Sequence, residues 1–296
     1  AATNINPYLV DAPNVILENR NQPLCDVPSM WFGNMPNDGG HLLLSPQEKA
    51  DLLQKQPQAE KWLRPLLGAK EFINGKERWC LWLVGISPAE LRAMPEVVKR
   101  VESVRQMRLN SVDAGARKLA ERPTEFRDTR LAQTYILVPR VSSERREYVP
   151  MGFFDNNTIS TDSNLMIPNA SIYEFGILES KIHITWMRAV CGRLKSDFRY
   201  SAKLVYNNFP WPEPNAKQKI AVEQAAQAIL DIRTPYLATN NSFADLYDPL
   251  TMPAKLRKAH QKLDTTVDSC YRKEKFKTDA ERLSLLFERY RRLKAG

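Results

Sequence analysis

The chain has 296 residues and 43% hydrophobic content, enough for one large core or two smaller ones, which excludes a disordered tail. Lys and Arg (43) outnumber Asp and Glu (34), and the resulting formal charge of +9 directs attention to anionic partners, nucleic acid foremost. No apolar run reaches the roughly 18 residues of a membrane span, the opening AATNINPYLV has no signal-peptide pattern, and Cys25, Cys80, Cys191 and Cys270 lie too far apart for a disulfide framework or zinc site, so a soluble, cytoplasmic chain without a membrane partner is expected.

Residues 1–40 are rich in loops, with Pro7, Pro13, Pro23, Pro28 and Pro36 interrupting any periodicity, and read as a connector. Ser45-Pro46-Gln47-Glu48 is a capping box with proline at the first helical position, and Ser87-Pro88-Ala89-Glu90 repeats it, so each predicts a helix start. Between them ERWCLWLVGI, Glu77 to Ile86, is short, apolar and aromatic, the pattern of a buried strand. From Pro95 the pattern EVVKRVESVRQMRL is helical, with valines on one side and Lys99, Arg100, Arg105 and Arg108 on the solvated remainder.

The middle of the chain is β-branched and aromatic. TYILVPRVSS and EYVPMGFF predict a hairpin turned by SERR, and DNNTISTDSNLMIP adds a third strand. Ala170 to Gly192 has the helical spacing of Ile172, Phe175, Ile182 and Trp186 and ends at glycine, predicting one long helix. Three prolines in NNFPWPEP, Asn207 to Pro214, mark a boundary, because proline continues neither a helix interior nor a central strand. Beyond it three helical patterns follow, the last opened by Thr278-Asp279-Ala280-Glu281. The whole reads as α+β: a mixed α/β domain over 41–207, then a small all-α helical bundle over 208–296.

Catalytic chemistry is hard to place. Three histidines, His41, His183 and His260, leave few positions for a triad or metal centre, and His183 in KIHITW is expected in the core. No GxxxxGK[ST], HExxH or GxGxxG occurs, and Asn6-Pro7-Tyr8 lacks one proline of the Asn/Asp-Pro-Pro-aromatic loop of amino-directed DNA methyltransferases. The expectation is therefore no catalytic residue, no metal ligand and no cofactor within this chain.

One stretch stands out. In GRLKSDFRYSAKLVYNNFPWP, Lys195, Asp197 and Arg199 alternate with Ser196 and Phe198, so an extended chain would turn plus, minus and plus to one face. Together with PSMWFGNMPNDGG, LLGAKEFINGKERWCLWL, YILVPRVSSERREYVP and the helical tail, this stretch resembles the C-terminal half of the MmeI-like, type IIL restriction-modification enzymes over nearly the whole chain. The resemblance implies a target recognition domain and a helical C-terminal domain that follow, in one polypeptide, an adenine-N6 methyltransferase using S-adenosylmethionine and a nuclease requiring Mg2+. Residues 1–40 would then be the exit from the methyltransferase core.

The same resemblance implies that Lys195, Asp197 and Arg199 are DNA base readers. The chemistry agrees: lysine donates to guanine O6 and N7, aspartate accepts from cytosine N4, and arginine reads guanine bidentately. The competing reading is a surface Lys-Asp ion pair with no DNA role. Ser163 and Asn164 are further candidate base readers, and Ser142, Ser143, Arg145 and Arg146 on the hairpin tip are candidate phosphate contacts. The expected function is recognition of a double-stranded DNA sequence for a covalently linked methyltransferase, with the α/β head in the major groove and the helical domain closing over the duplex. The alternative is a basic protein-interaction scaffold indifferent to DNA sequence.

Overall fold

A computed structural model describes residues 4–239 and 241–295; residues 1–3 of the expected connector lie outside the described residues. The chain is a mixed α/β protein with a helical C-terminal region. By packing it divides into two units, one formed by 1–31, 134–153 and 165–296, the other by 32–133 and 154–164.

In the smaller unit, both capping boxes form as their residues dictate. Ser45 Oγ accepts from the Glu48 amide and the Glu48 carboxylate from the Ser45 amide, opening helix Pro46–Lys55; Ser87 and Glu90 do the same for the short helix Pro88–Arg92. The strand expected in ERWCLWLVGI is Trp79–Leu81, central in a sheet of order Leu43–Leu44, Trp79–Leu81, Leu63–Leu67, Ile159–Ser160. Leu63, Leu66, Cys80, Leu81, Val97, Val101, Val104 and Phe126 share one core, so the valine face of helix Pro95–Leu109 is buried as its spacing requires. Gly33 is obligatory: a Cβ there would lie 2.1 Å from the Thr161 carbonyl oxygen.

Arg108 departs from expectation. It is fully buried, not solvated. Its Nε donates to Asn37 O (2.9 Å), Nη1 to Leu119 O (3.0 Å) and Arg122 O (2.9 Å), and Nη2 to Glu125 O (2.7 Å) and Pro36 O (3.3 Å). Five guanidinium donors thus meet five carbonyls that would otherwise be buried without partners, and this repays the desolvation that lowers the Arg108 pKa.

In the larger unit, Thr134–Pro139 lies between Asn164–Pro168 and Gly152–Asp155 in one sheet, with Trp31–Phe32 at the edge. The expected third strand is present. The expected hairpin is modified: Val141–Ser142 leaves this sheet for a second one, and Glu147–Pro150 is loop. The single helix predicted across 170–192 is two, Ile172–Leu178 and Lys181–Val190, broken at Glu179 and Ser180. The break is held from outside, because Asp264 Oδ1 accepts from the Lys181 amide (2.7 Å) and Glu179 Oε1 from the Met151 amide (2.9 Å).

The C-terminal helices are Ala216–Ala238, Phe243–Leu246, Ala254–Asp268 and Asp279–Ala295. Gly176 lets Ile172–Leu178 approach the first of them, since a Cβ there would meet Val222 Cγ1 at 2.8 Å. Trp186, Phe209 and Trp211 are core residues, as their aromatic mass requires; Trp186 packs on Phe287 with ring centroids 5.2 Å apart.

Candidate nucleic-acid interface

The strands Gly192–Leu194 and Asp197–Arg199 pair antiparallel in the register Gly192 with Arg199, Arg193 with Phe198 and Leu194 with Asp197. Lys195 and Ser196 are the two-residue turn between them, and Lys195 has φ +56°, the positive value that the primed hairpin turns demand of their first central residue. This corrects the extended reading of the stretch. Asp197 and Arg199 share a strand face by the two-residue period, whereas Lys195 sits at the hairpin tip. Leu194 and Gly192 lie opposite them on that same face. Gly192 leaves the flank of Arg199 open, since a Cβ there would reach nothing closer than Arg199 O at 4.0 Å.

Lys195 and Arg199 are exposed and Asp197 is half-buried. Among the described residues none of the three makes an ion pair or a side-chain hydrogen bond, so the competing Lys-Asp surface pair does not form. Some surface charges elsewhere are paired, as Lys61 with Glu90 and Arg289 with Glu213 show.

The opposite face of the hairpin is anchored. Phe198 is 7% exposed, with the Arg193 guanidinium 3.9 Å and the Arg188 guanidinium 5.5 Å from its ring centroid. Arg193 Nη1 also donates to Ser196 O (2.8 Å) and lies 3.6 Å from Glu144, while Arg188 Nη2 donates to Arg146 O (2.6 Å). Asp197–Arg199 continues the sheet by pairing with Val141–Ser142, and the Tyr200 amide donates to Arg140 O. Below it His183 is fully buried, its Nδ1 on Leu178 O (2.8 Å) and its Nε2 on the Tyr200 hydroxyl (3.0 Å). Burial depresses its pKa to about 4, so it stays neutral as the core histidine expected.

The softer candidates fall in different places. Arg145 is exposed, and Ser143 Oγ accepts from its amide (3.4 Å), a local turn contact. Arg146 is half-buried; desolvation lowers its pKa while Asp197 and Asp248 act to raise it. Ser142 is not at the tip but buried in its strand opposite Phe198. By packing, Ser163 and Asn164, the latter the first residue of strand Asn164–Pro168, group with the other unit. Ser163 Oγ accepts from the Ala69 amide (2.8 Å); Asn164 is fully buried, its Nδ2 donating to Leu67 O (2.9 Å), so its side-chain amide holds the interior together and meets no solvent.

Arg188 and Arg193 escaped the sequence reading, although the register that places Arg193 opposite Phe198 follows from a two-residue turn at Lys195-Ser196. Arg289 in helix Asp279–Ala295 donates to Trp211 O (3.1 Å) and to Glu213 (2.6 Å).

The site is thus an exposed, charged β-hairpin on a mixed α/β frame, with a packed helical region following it in the chain. The target recognition domain model of MmeI matches residues 11–213 and the MmeI C-terminal domain model residues 214–296, so the chain belongs to the MmeI family. The junction falls inside NNFPWPEP. The chain is 43% identical over 292 residues, 98% of its length, to DNA methyltransferase A of Bacillus subtilis (strain 168). The solved structure of the type IIL restriction-modification enzyme MmeI in complex with DNA superposes with TM-score 0.95 at 46% identity over 100% of this chain. The chain spans 33% of the first relative and 39% of the second.

Proposed function

We propose that this chain is the double-stranded DNA recognition module of a site-specific adenine-N6 methyltransferase, working in the cytoplasm and covalently linked to the methyltransferase core. The observation that carries the reading is the hairpin at 192–199: three charged side chains that, among the described residues, make no ion pair or side-chain hydrogen bond, one at the tip and two on one strand face. A two-stranded ribbon fits the roughly 12 Å major groove, where each base pair presents a distinct donor and acceptor pattern. Lys195 donates to guanine O6 or N7, Asp197 accepts from the paired cytosine N4, and Arg199 reads a neighbouring purine. Arg145 and Ser143 supply phosphate contacts that set register without reading sequence.

The string closest to the methyltransferase loop, Asn6-Pro7-Tyr8, does not offer its asparagine to S-adenosylmethionine. There Asn6 is buried and its side-chain carbonyl accepts from the Tyr8 (2.9 Å) and Val10 (3.1 Å) amides of its own turn. Methyl transfer, and Mg2+-dependent cleavage where it occurs, therefore belong to the linked core, and no catalytic step is assigned to residues here.

The test is to map methylated motifs by single-molecule sequencing in the intact protein before and after the exchange Lys195→Glu with Asp197→Arg. One motif position changing from G to C, with the others held, supports the reading. Methylation at an unchanged motif overturns it. Binding also weakens steeply with salt, because phosphate contacts release counterions.

A further inference from the structure

A side chain that reads a base must be held where the base edge will be, and Lys195 is badly placed to hold itself. It is exposed at a turn of two residues, in a left-handed conformation that a lysine adopts only when its surroundings impose it. The two-residue turn demands it, and one residue makes three contacts around that turn. Arg193 closes the turn by donating from Nη1 to Ser196 O (2.8 Å), lays its guanidinium on Phe198 directly across the ladder (3.9 Å), and faces Glu144 on the neighbouring loop (3.6 Å). Phe198 is in turn flanked by Arg188, which is tied to Arg146 O (2.6 Å). The ladder register puts Arg193 and Phe198 on one face of the hairpin and Asp197 and Arg199 on the other. Arg193 is thus turned away from the charges that would meet DNA, yet braces the turn that carries one of them.

We propose that Arg193 is a positioning residue for base reading: through Phe198 and the Ser196 carbonyl it presets the hairpin, so that sequence discrimination depends on it more than affinity does. The inference rests on the DNA-reading proposal above. Lysine cannot replace this arginine, because the role uses a planar guanidinium that stacks and donates at once.

The experiment selects bound duplexes from a random-sequence pool with the intact protein and with Arg193→Ala, Arg193→Lys and Phe198→Leu. At the motif positions altered by the Lys195 and Asp197 exchange, Arg193→Ala is expected to lower the preference for the correct base roughly tenfold, within the range one good base contact provides. Affinity for an unrelated duplex should fall less than about threefold, Arg193→Lys should fail to restore discrimination, and Phe198→Leu, which removes the shelf and keeps the charge, should reproduce the loss. Amide exchange at 194–199 should speed up in Arg193→Ala without DNA.

Uniform weakening on all sequences with the motif intact, and a salt slope lower by about one, would make Arg193 a phosphate contact and overturn the inference. So would full rescue by Arg193→Lys, or an unchanged motif whatever the change in melting temperature. A wild-type protein that enriches no motif sinks the DNA-reading proposal itself, an outcome distinct from all of these.

Discussion

Arg108 in the smaller unit and Arg199 in the larger are the same residue type used in opposite ways. Arg108 is fully buried and spends every donor on a backbone carbonyl, whereas Arg199 is exposed and, among the described residues, spends none on another side chain. The first stabilises the fold and has nothing left for a ligand. The second adds little to the fold and keeps its full hydrogen-bonding capacity for a partner. On the proposed reading, function falls to polar groups that the fold leaves free on its surface, and structure to polar groups it satisfies inside.

Arg108→Met tests the buried half of that contrast and should have the largest effect. Five carbonyls lose their donor at once, and the variant should be at least about 3 kcal/mol less stable to urea. Arg105→Met on the exposed side of the same helix should stay within about 0.5 kcal/mol. Equal costs would mean that the carbonyl cage does not hold the unit together.

His183 sharpens the contrast through pH. Its folded pKa, depressed to about 4 by burial, lies below the ordinary 6.5, so its contribution to stability is present above pH 6.5 and is lost as pH falls toward 4. Between pH 7.5 and pH 5 the protein should lose about 2 kcal/mol more than a His183→Gln variant in chemical denaturation. Asp264, raised to about 6 by burial, works in the opposite sense in both proteins and cancels in the difference. Parallel pH profiles would show that His183 is not held neutral.

What the sequence made legible follows from where the information is local. Capping boxes at Ser45 and Ser87 and the valine face of residues 95–109 act through neighbours within a few positions, and they read correctly. Arg108 did not, because its five acceptors come from three separate stretches, 36–37, 119–122 and 125, and a helical arginine next to polar residues looks solvated. The helix break at Glu179 and Ser180 was hidden for the same reason, since the group that caps Lys181 is Asp264. Of the candidate site, the charged triplet was visible as an alternation. Its geometry was misjudged, because Lys195 and Ser196 carry no glycine to announce a turn, and Asn164 looked available only until Leu67 was placed beside it.

The smallest effect is the most discriminating, because stability and function should move in opposite directions at one residue. Lys195 holds φ +56°, a conformation that costs a non-glycine residue free energy and glycine almost none. Lys195→Gly should therefore leave the protein as stable as before or stabilise it by up to about 1 kcal/mol, part of the relief being offset by the greater freedom of glycine in the unfolded chain. The same change removes the ammonium proposed to donate to guanine, so the intact protein should lose preference for G at one motif position while the others hold. A residue kept for the fold would show the reverse, a less stable protein with its motif unchanged. Paired thermal melting and motif mapping on this one variant separate the two, and the strain at Lys195 is then the cost of placing a lysine where the chain itself prefers glycine.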